Sequence, residues 1–247
     1  MKNYFVCSER YDHEKLDAFL NKEEIKGVVI GDLFCHYRMF ERGIVDMILF
    51  MNQIWSSDKA VIYQAPLYVT GRNIEEVKSV LSYMNSFDRA SYVIVQDFGT
   101  AEMIARDYAG LRLIWGQLGR VREHRYSDDF LKFLVEKKFA GMEAGDRDFA
   151  GRLLRMGLIP FFNSALLQYH TLGRVCYLKY QVGKCDRVSC MDGRFRLRAV
   201  KEDYEMTIDG YMLGKRYLAA DAKEIEAVLR MSDVELIVRN SLPKEKK

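Results

Sequence analysis

Apolar runs of strand length alternate with segments of helical spacing along nearly the whole chain. Short, largely apolar runs of strand type lie at residues 4–7, 27–31, 60–63, 92–95, 111–115, 139–143, 158–162 and 235–239. Parallel strands buried on both faces read in this way, as short runs with little polar alternation. Between the runs, apolar residues recur with a helical period over 14–21, 43–55, 73–84, 100–108, 128–137, 148–156 and 222–231. The segment 73–84 is typical: Ile74, Val77, Val80, Leu81 and Met84 fall on one helical face. Asn73 followed by Glu76 has the spacing of a capping box at its start.

Eight strand segments separated mainly by helices predict an α/β fold, a (β/α)8 TIM-like barrel in a single domain. That fold takes about 250 residues, and the chain has 247. An open doubly wound sheet is the alternative. No G-x-G-x-x-G or Walker A loop follows any run, which weakens its nucleotide-binding form. One region departs from the alternation. A segment holding three cysteines is followed by 194–200 and 204–208, which alternate in part like a hairpin, with Asp209-Gly210 as a turn beyond them. The expected organisation is therefore a barrel over residues 1–242, with a Cys-rich segment and a hairpin inserted before the last strand. Residues 243–247 are expected to form a disordered tail.

Composition narrows the function. Apolar residues make up 49% of the chain, enough for a core and too many for a disordered protein. The net charge of +3 gives no support to bulk nucleic-acid binding. The most apolar stretch, 43–55, is broken by Asp46 and Asn52 and is too short for a membrane helix. No signal-peptide core follows the N-terminus, so the expected location is cytoplasmic. Thiols stay reduced there, and the five cysteines then point to metal binding or packing before disulfides.

In a barrel the strand ends converge on one rim, where active sites form. The polar residues that end strands here are Asp32, Gln64, Gln96, Asp97, Gln117, Glu143, Asp146, Asn163, Ser164, Arg239 and Asn240. Asp97 and Glu143 are the acid–base candidates, because each follows an apolar run and would be partly desolvated. A helix cap or a structural ion pair would also put a carboxylate there. Arg120 and Arg122, with His124 and Arg125, form a basic loop whose guanidinium forks suit a carboxylate or phosphate; a solvated loop is the plainer reading. Arg194, Arg196 and Arg198 with Lys201 read as a solvated hairpin face. No H-E-x-x-H helix and no G-x-S-x-G elbow occurs, so no hydrolytic triad is legible.

Cys35 stands just past the second strand, and Cys176, Cys185 and Cys190 follow the seventh. Both positions lie on the C-terminal rim of a barrel, so four thiolates could converge. Such a set suits a four-cysteine iron–sulfur cluster or a structural zinc. The spacings match neither a zinc ribbon nor a ferredoxin run, which leaves buried free cysteines as the alternative. Cys7, at the end of the first run, reads as a core residue.

Four segments carry a family resemblance. Gly-Val-Val-Ile-Gly-Asp-Leu-Phe-Cys-His-Tyr-Arg at strand two and Tyr-Val-Ile-Val-Gln-Asp-Phe-Gly-Thr at strand four are the first pair. Phe-Ala-Gly-Met-Glu-Ala-Gly at strand six and Pro-Phe-Phe-Asn-Ser-Ala-Leu-Leu-Gln-Tyr-His-Thr-Leu-Gly-Arg-Val-Cys-Tyr after strand seven complete the set. In this order they resemble the collagenase-like peptidase family, class U-thirty-two, over roughly residues 27–240. Within the family the chain is most similar to the small iron–sulfur members that serve oxygen-independent ubiquinone hydroxylation. That resemblance implies a [4Fe–4S] cluster on Cys35, Cys176, Cys185 and Cys190, a related larger subunit as partner, and hydroxylase-type chemistry. Some family hydroxylases use prephenate as oxygen donor, which implies a small-molecule carboxylate ligand at Arg120 and Arg122. The gap between the last two cysteines is longer here than in that subgroup, and the usual strand-one opening is absent. A peptidase-like hydrolase without a redox cluster, or a non-catalytic scaffold for a partner, are the alternatives.

Overall fold

The computed structural model describes residues 4–8, 16–17, 20–31, 44–66, 74–87, 91–116, 126–168, 171–172, 195–198, 205–209, 212–213, 216–219 and 222–239. Eight parallel strands close into a barrel. They are β1 (Tyr4–Ser8), β2 (Ile25–Ile30), β3 (Ala60–Gln64), β4 (Ser91–Val95), β5 (Leu111–Trp115), β6 (Gly141–Ala144), β7 (Ile159–Asn163) and β14 (Glu235–Arg239), with β14 between β7 and β1. Among the described residues the helices include α1 (Ile44–Ser56), α2 (Ile74–Asn85), α3 (Phe98–Asp107), α4 (Asp128–Glu136), α5 (Arg147–Arg155) and α6 (Ala222–Leu229). The architecture is the (β/α)8 TIM-like barrel that the alternation predicts.

Between β7 and β14 the chain makes two small antiparallel sheets. β8 (Ala165–Gln168) pairs with β13 (Arg216–Ala219). β9 (Thr171–Leu172), β12 (Met212–Leu213), β11 (Glu205–Asp209) and β10 (Phe195–Arg198) form the second, in that order. The expected hairpin is the β10–β11 pair, and β11 pairs onward with β12 through Asp209 and Met212. The inserted segment thus contributes more strands than the sequence pattern announces. Residues 243–247 lie outside the described residues.

Alternation along each strand builds two apolar layers. Phe5, Val29, Ile62, Ile94, Ile114, Phe161 and Ile237 form one cluster with a single residue from each of seven barrel strands and none from a helix. They fill the barrel interior. The opposite faces, among them Val28, Ile30, Val61, Tyr63, Val93, Val95, Leu113 and Met142, join helix residues in a second and larger cluster. The buried side of α1, Met47, Phe50, Met51, Ile54 and Trp55, keeps the helical period and packs into that layer. On β6 the interior position is Gly141. A Cβ there would stand 2.1 Å from the Ile159 carbonyl oxygen and 2.8 Å from the Phe161 ring. The missing side chain lets Phe161 occupy the barrel axis beside Phe5, with ring centroids 6.4 Å apart.

Helix starts follow local chemistry. Asp97 Oδ1 accepts the Thr100 N–H at 2.7 Å, Ser127 Oγ accepts that of Phe130 at 3.2 Å, and Asp146 Oδ1 accepts that of Phe149 at 2.7 Å. Each satisfies an N–H that the helix itself cannot pair.

Candidate functional site: the barrel mouth

Side chains two positions apart on a strand share a face. One step beyond the interior plug, toward the C-terminal ends of the strands, the same face carries Gln64 after Ile62 and Gln96 after Ile94. It carries Glu143 after Gly141 and Asn163 after Phe161. The corresponding positions past β2 and β5 are Gly31 and Gly116, and Cys7 on β1 is in register with Arg239 on β14. Four hydrogen-bonding side chains therefore ring the mouth directly above an apolar plug. Their exposures are 3% for Gln64, 5% for Gln96, 2% for Glu143 and 2% for Asn163.

Asn163 Nδ2 donates to Glu143 Oε1 at 2.8 Å. That bond takes up the amide nitrogen of Asn163. Asn163 Oδ1 is then an acceptor, and it has no partner among the described residues. The Gln64 Nε2 and both amide atoms of Gln96 are likewise buried without a partner there. The two glycines are part of the same arrangement. A Cβ at Gly116 would fall 2.6 Å from Gln96 Cγ and 2.7 Å from its Nε2, so the Gln96 side chain lies across the Gly116 backbone. Gly31 adopts φ 117°, and a Cβ on it would meet the Gln64 carbonyl oxygen at 2.3 Å. Only glycine is at ease in that conformation. Ser164 is buried next to Asn163, and its backbone N–H donates to the Ile237 carbonyl at 2.9 Å, tying the end of β7 to β14.

The sequence-derived candidates fall into three groups. Glu143 is in the mouth, together with Gln64, Gln96 and Asn163. Asp97 is the N-cap of α3, half-buried, at the edge of an open groove of about 380 Å³ between α2 and α3. Inside that groove Arg106 Nε donates to Asp107 Oδ1 at 2.7 Å, and this contact holds the Asp107 carboxyl below the usual carboxylate range. Arg120, Arg122, Cys35, Cys176, Cys185 and Cys190 lie outside the described residues. Among the described residues no group of three or more His, Cys, Asp or Glu side chains could hold a metal ion. The signal that separates Gln96 from its neighbour Asp97 is the strand's period of two: Gln96 continues the interior face of Ile94, and Asp97 does not.

Chemically, the mouth offers amide donors and acceptors around one buried carboxyl group. It is suited to recognising a polar group by hydrogen bonds.

A closed parallel barrel with a polar, buried mouth at the strand C-termini defines the class: a TIM-like barrel. No helix among the described residues is long and apolar enough to cross a membrane. The comparison with solved structures finds one described as the structure of the U32 peptidase Mk0906. It has a TM-score of 0.54 and 10% sequence identity, over 96% of this chain and 92% of that one. At that identity the likeness is one of fold. No protein-family model matches the sequence, and no curated protein matches it.

Proposed function

We propose that the protein is an iron–sulfur member of the collagenase-like peptidase family, of the oxygen-independent hydroxylase type. It binds a [4Fe–4S] cluster through Cys35, Cys176, Cys185 and Cys190 and acts with a related larger subunit. The observation that carries the reading is the strand order. β2 and β7 run parallel and end on the same rim at Ile30 and Asn163, and the chain to Cys35 leaves from the first, that to Cys176, Cys185 and Cys190 from the second. Four thiols are a complete donor set for such a cluster, which supplies one-electron chemistry when bound. Support also comes from the four family-like segments and from the fold likeness to a U32 peptidase. In this reading Arg120 and Arg122 hold a ligand carboxylate on the rim, and Glu143 handles a proton within the mouth.

Alanine substitution tests the ligand set. Cys35→Ala, Cys176→Ala, Cys185→Ala and Cys190→Ala should each strip most of the iron from anaerobically purified protein, while Cys7→Ala keeps it. Full iron in Cys35→Ala with loss in Cys7→Ala would reassign the ligands. A second reading, a peptidase-like hydrolase, is favoured by the name of the structural neighbour alone. It predicts a colourless protein that cleaves peptides and loses that activity in Glu143→Gln.

A further inference from the structure

The amide of Gln96 has both its nitrogen and its oxygen buried and without a partner among the described residues. Folding leaves such groups unpaired only at a cost in stability, because each gives up its hydrogen bonds to water. The Gln96 amide is not loosely held, since its side chain lies flat across the Gly116 backbone at a position that has room for no Cβ. On the neighbouring strand β3 stands an unpaired nitrogen, Gln64 Nε2, and across the ring on β7 an unpaired acceptor, Asn163 Oδ1, whose amide nitrogen donates to Glu143. The apolar plug of Ile62, Ile94 and Phe161 closes the floor beneath them.

We propose that the barrel mouth is a recognition site for an amide-type edge: a planar, uncharged group that carries an N–H donor next to a carbonyl acceptor. Complementarity selects such a group. A carboxamide presents a donor and an acceptor side by side in one plane, so a second amide edge satisfies both in a paired, two-bond contact. A carboxylate satisfies the nitrogen alone and sets an anionic oxygen against Gln96 Oε1. An ammonium group satisfies the oxygen alone. A ligand with a further N–H also meets Asn163 Oδ1, and one with a further carbonyl meets Gln64 Nε2. An amide edge in the mouth deepens the iron–sulfur reading, on which its place in a hydroxylase rests. Its binding does not depend on the cluster, because none of the mouth residues is a proposed ligand of iron.

The test uses the full-length protein purified without air, with benzamide and benzoate as matched probes. Binding is followed by ligand-observed NMR and stability by thermal unfolding. Gln96→Leu keeps the side-chain volume and removes both orphan atoms. It should weaken benzamide binding at least about tenfold, as loss of a paired contact requires. Benzoate, which meets the nitrogen alone and is set against the oxygen, should lose clearly less affinity in the variant than benzamide does. The same variant should raise Tm by about 2 °C or more, because an unpaired amide is replaced by an apolar group of similar size. Gln96→Met gives a second, more flexible replacement should leucine disturb packing. Asn163→Leu is the contrast: it strips Glu143 of a donor and should lower Tm. The proposal is overturned if both Gln96 variants lower Tm, if they leave benzamide binding unchanged, or if benzoate depends on Gln96 as strongly as benzamide does. Iron content is read in the same samples. Wild-type protein without iron that still binds benzamide through Gln96 would sink the cluster and leave the mouth site standing.

Discussion

At Asp97 the carboxylate accepts the Thr100 N–H at 2.7 Å and starts α3, while the adjacent Gln96 is buried in the mouth. The two neighbours can be separated by substitution. Asp97→Ala should lose the cap and about 1 kcal/mol of stability, read by urea unfolding. Asp97→Asn should restore most of it, since asparagine caps as well as aspartate. Activity that falls equally in both variants would mean the charge itself takes part in chemistry; activity that returns with asparagine would confine Asp97 to the helix. The residue pattern made Gln64, Gln96, Glu143 and Asn163 visible as strand-ending polar groups, because each interrupts an apolar run. It did not show that Asp97 and Asp146 are caps, since an acidic residue ahead of a helix reads the same in either role. Nor did it show why Gly31 and Gly116 are glycine, because that requirement comes from chain segments distant in sequence.

The helices of the barrel were legible because each buries one face with a regular period, and its strands because burial on both faces makes them short apolar runs. α4 and α5 illustrate a link that periodicity does not carry. Arg152 Nε on α5 donates to Asp128 Oδ1 on α4 at 2.9 Å, and Arg152 also reaches that oxygen through Nη2. This hydrogen bond, and then the guanidinium charge, hold the Asp128 carboxyl below the usual carboxylate range. A lowered folded-state pKa stabilises the fold above the ordinary carboxylate pKa, and the contribution is lost as pH falls through the lowered value. The advantage of wild type over Arg152→Gln in urea midpoint should therefore be present at pH 7 and shrink below about pH 4. A difference that stays constant down to pH 2 would show that the ion pair is not its source. The short strands β8, β9, β12 and β13 were not legible. β9 and β12 are two residues each, Thr171–Leu172 and Met212–Leu213, too brief for a period to register. Their pairing is set by partners far away in sequence.

For the whole molecule, closure of the barrel depends on filling its axis, and Gly141 is where that is most sensitive. Gly141→Ala should destabilise the protein by about 2 kcal/mol or more, because the new methyl meets the Ile159 carbonyl and the Phe161 ring. A urea midpoint within error of wild type would show that β6 can shift to admit it. The global fold was readable because eight buried strands alternating with helices leave few ways to close a sheet. The inserted segment between β7 and β14, which holds three of the proposed ligands, has no such constraint written in its pattern. The function proposed for the molecule turns on this segment and the chain after β2 together holding a redox cluster. Purification without air, followed by iron and acid-labile sulfide analysis, tests it most directly. The expected result is a brown protein with about four iron and four sulfide per chain, as a [4Fe–4S] site with four cysteine ligands requires. A colourless protein with neither, purified under the same conditions with all four cysteines intact, would contradict it.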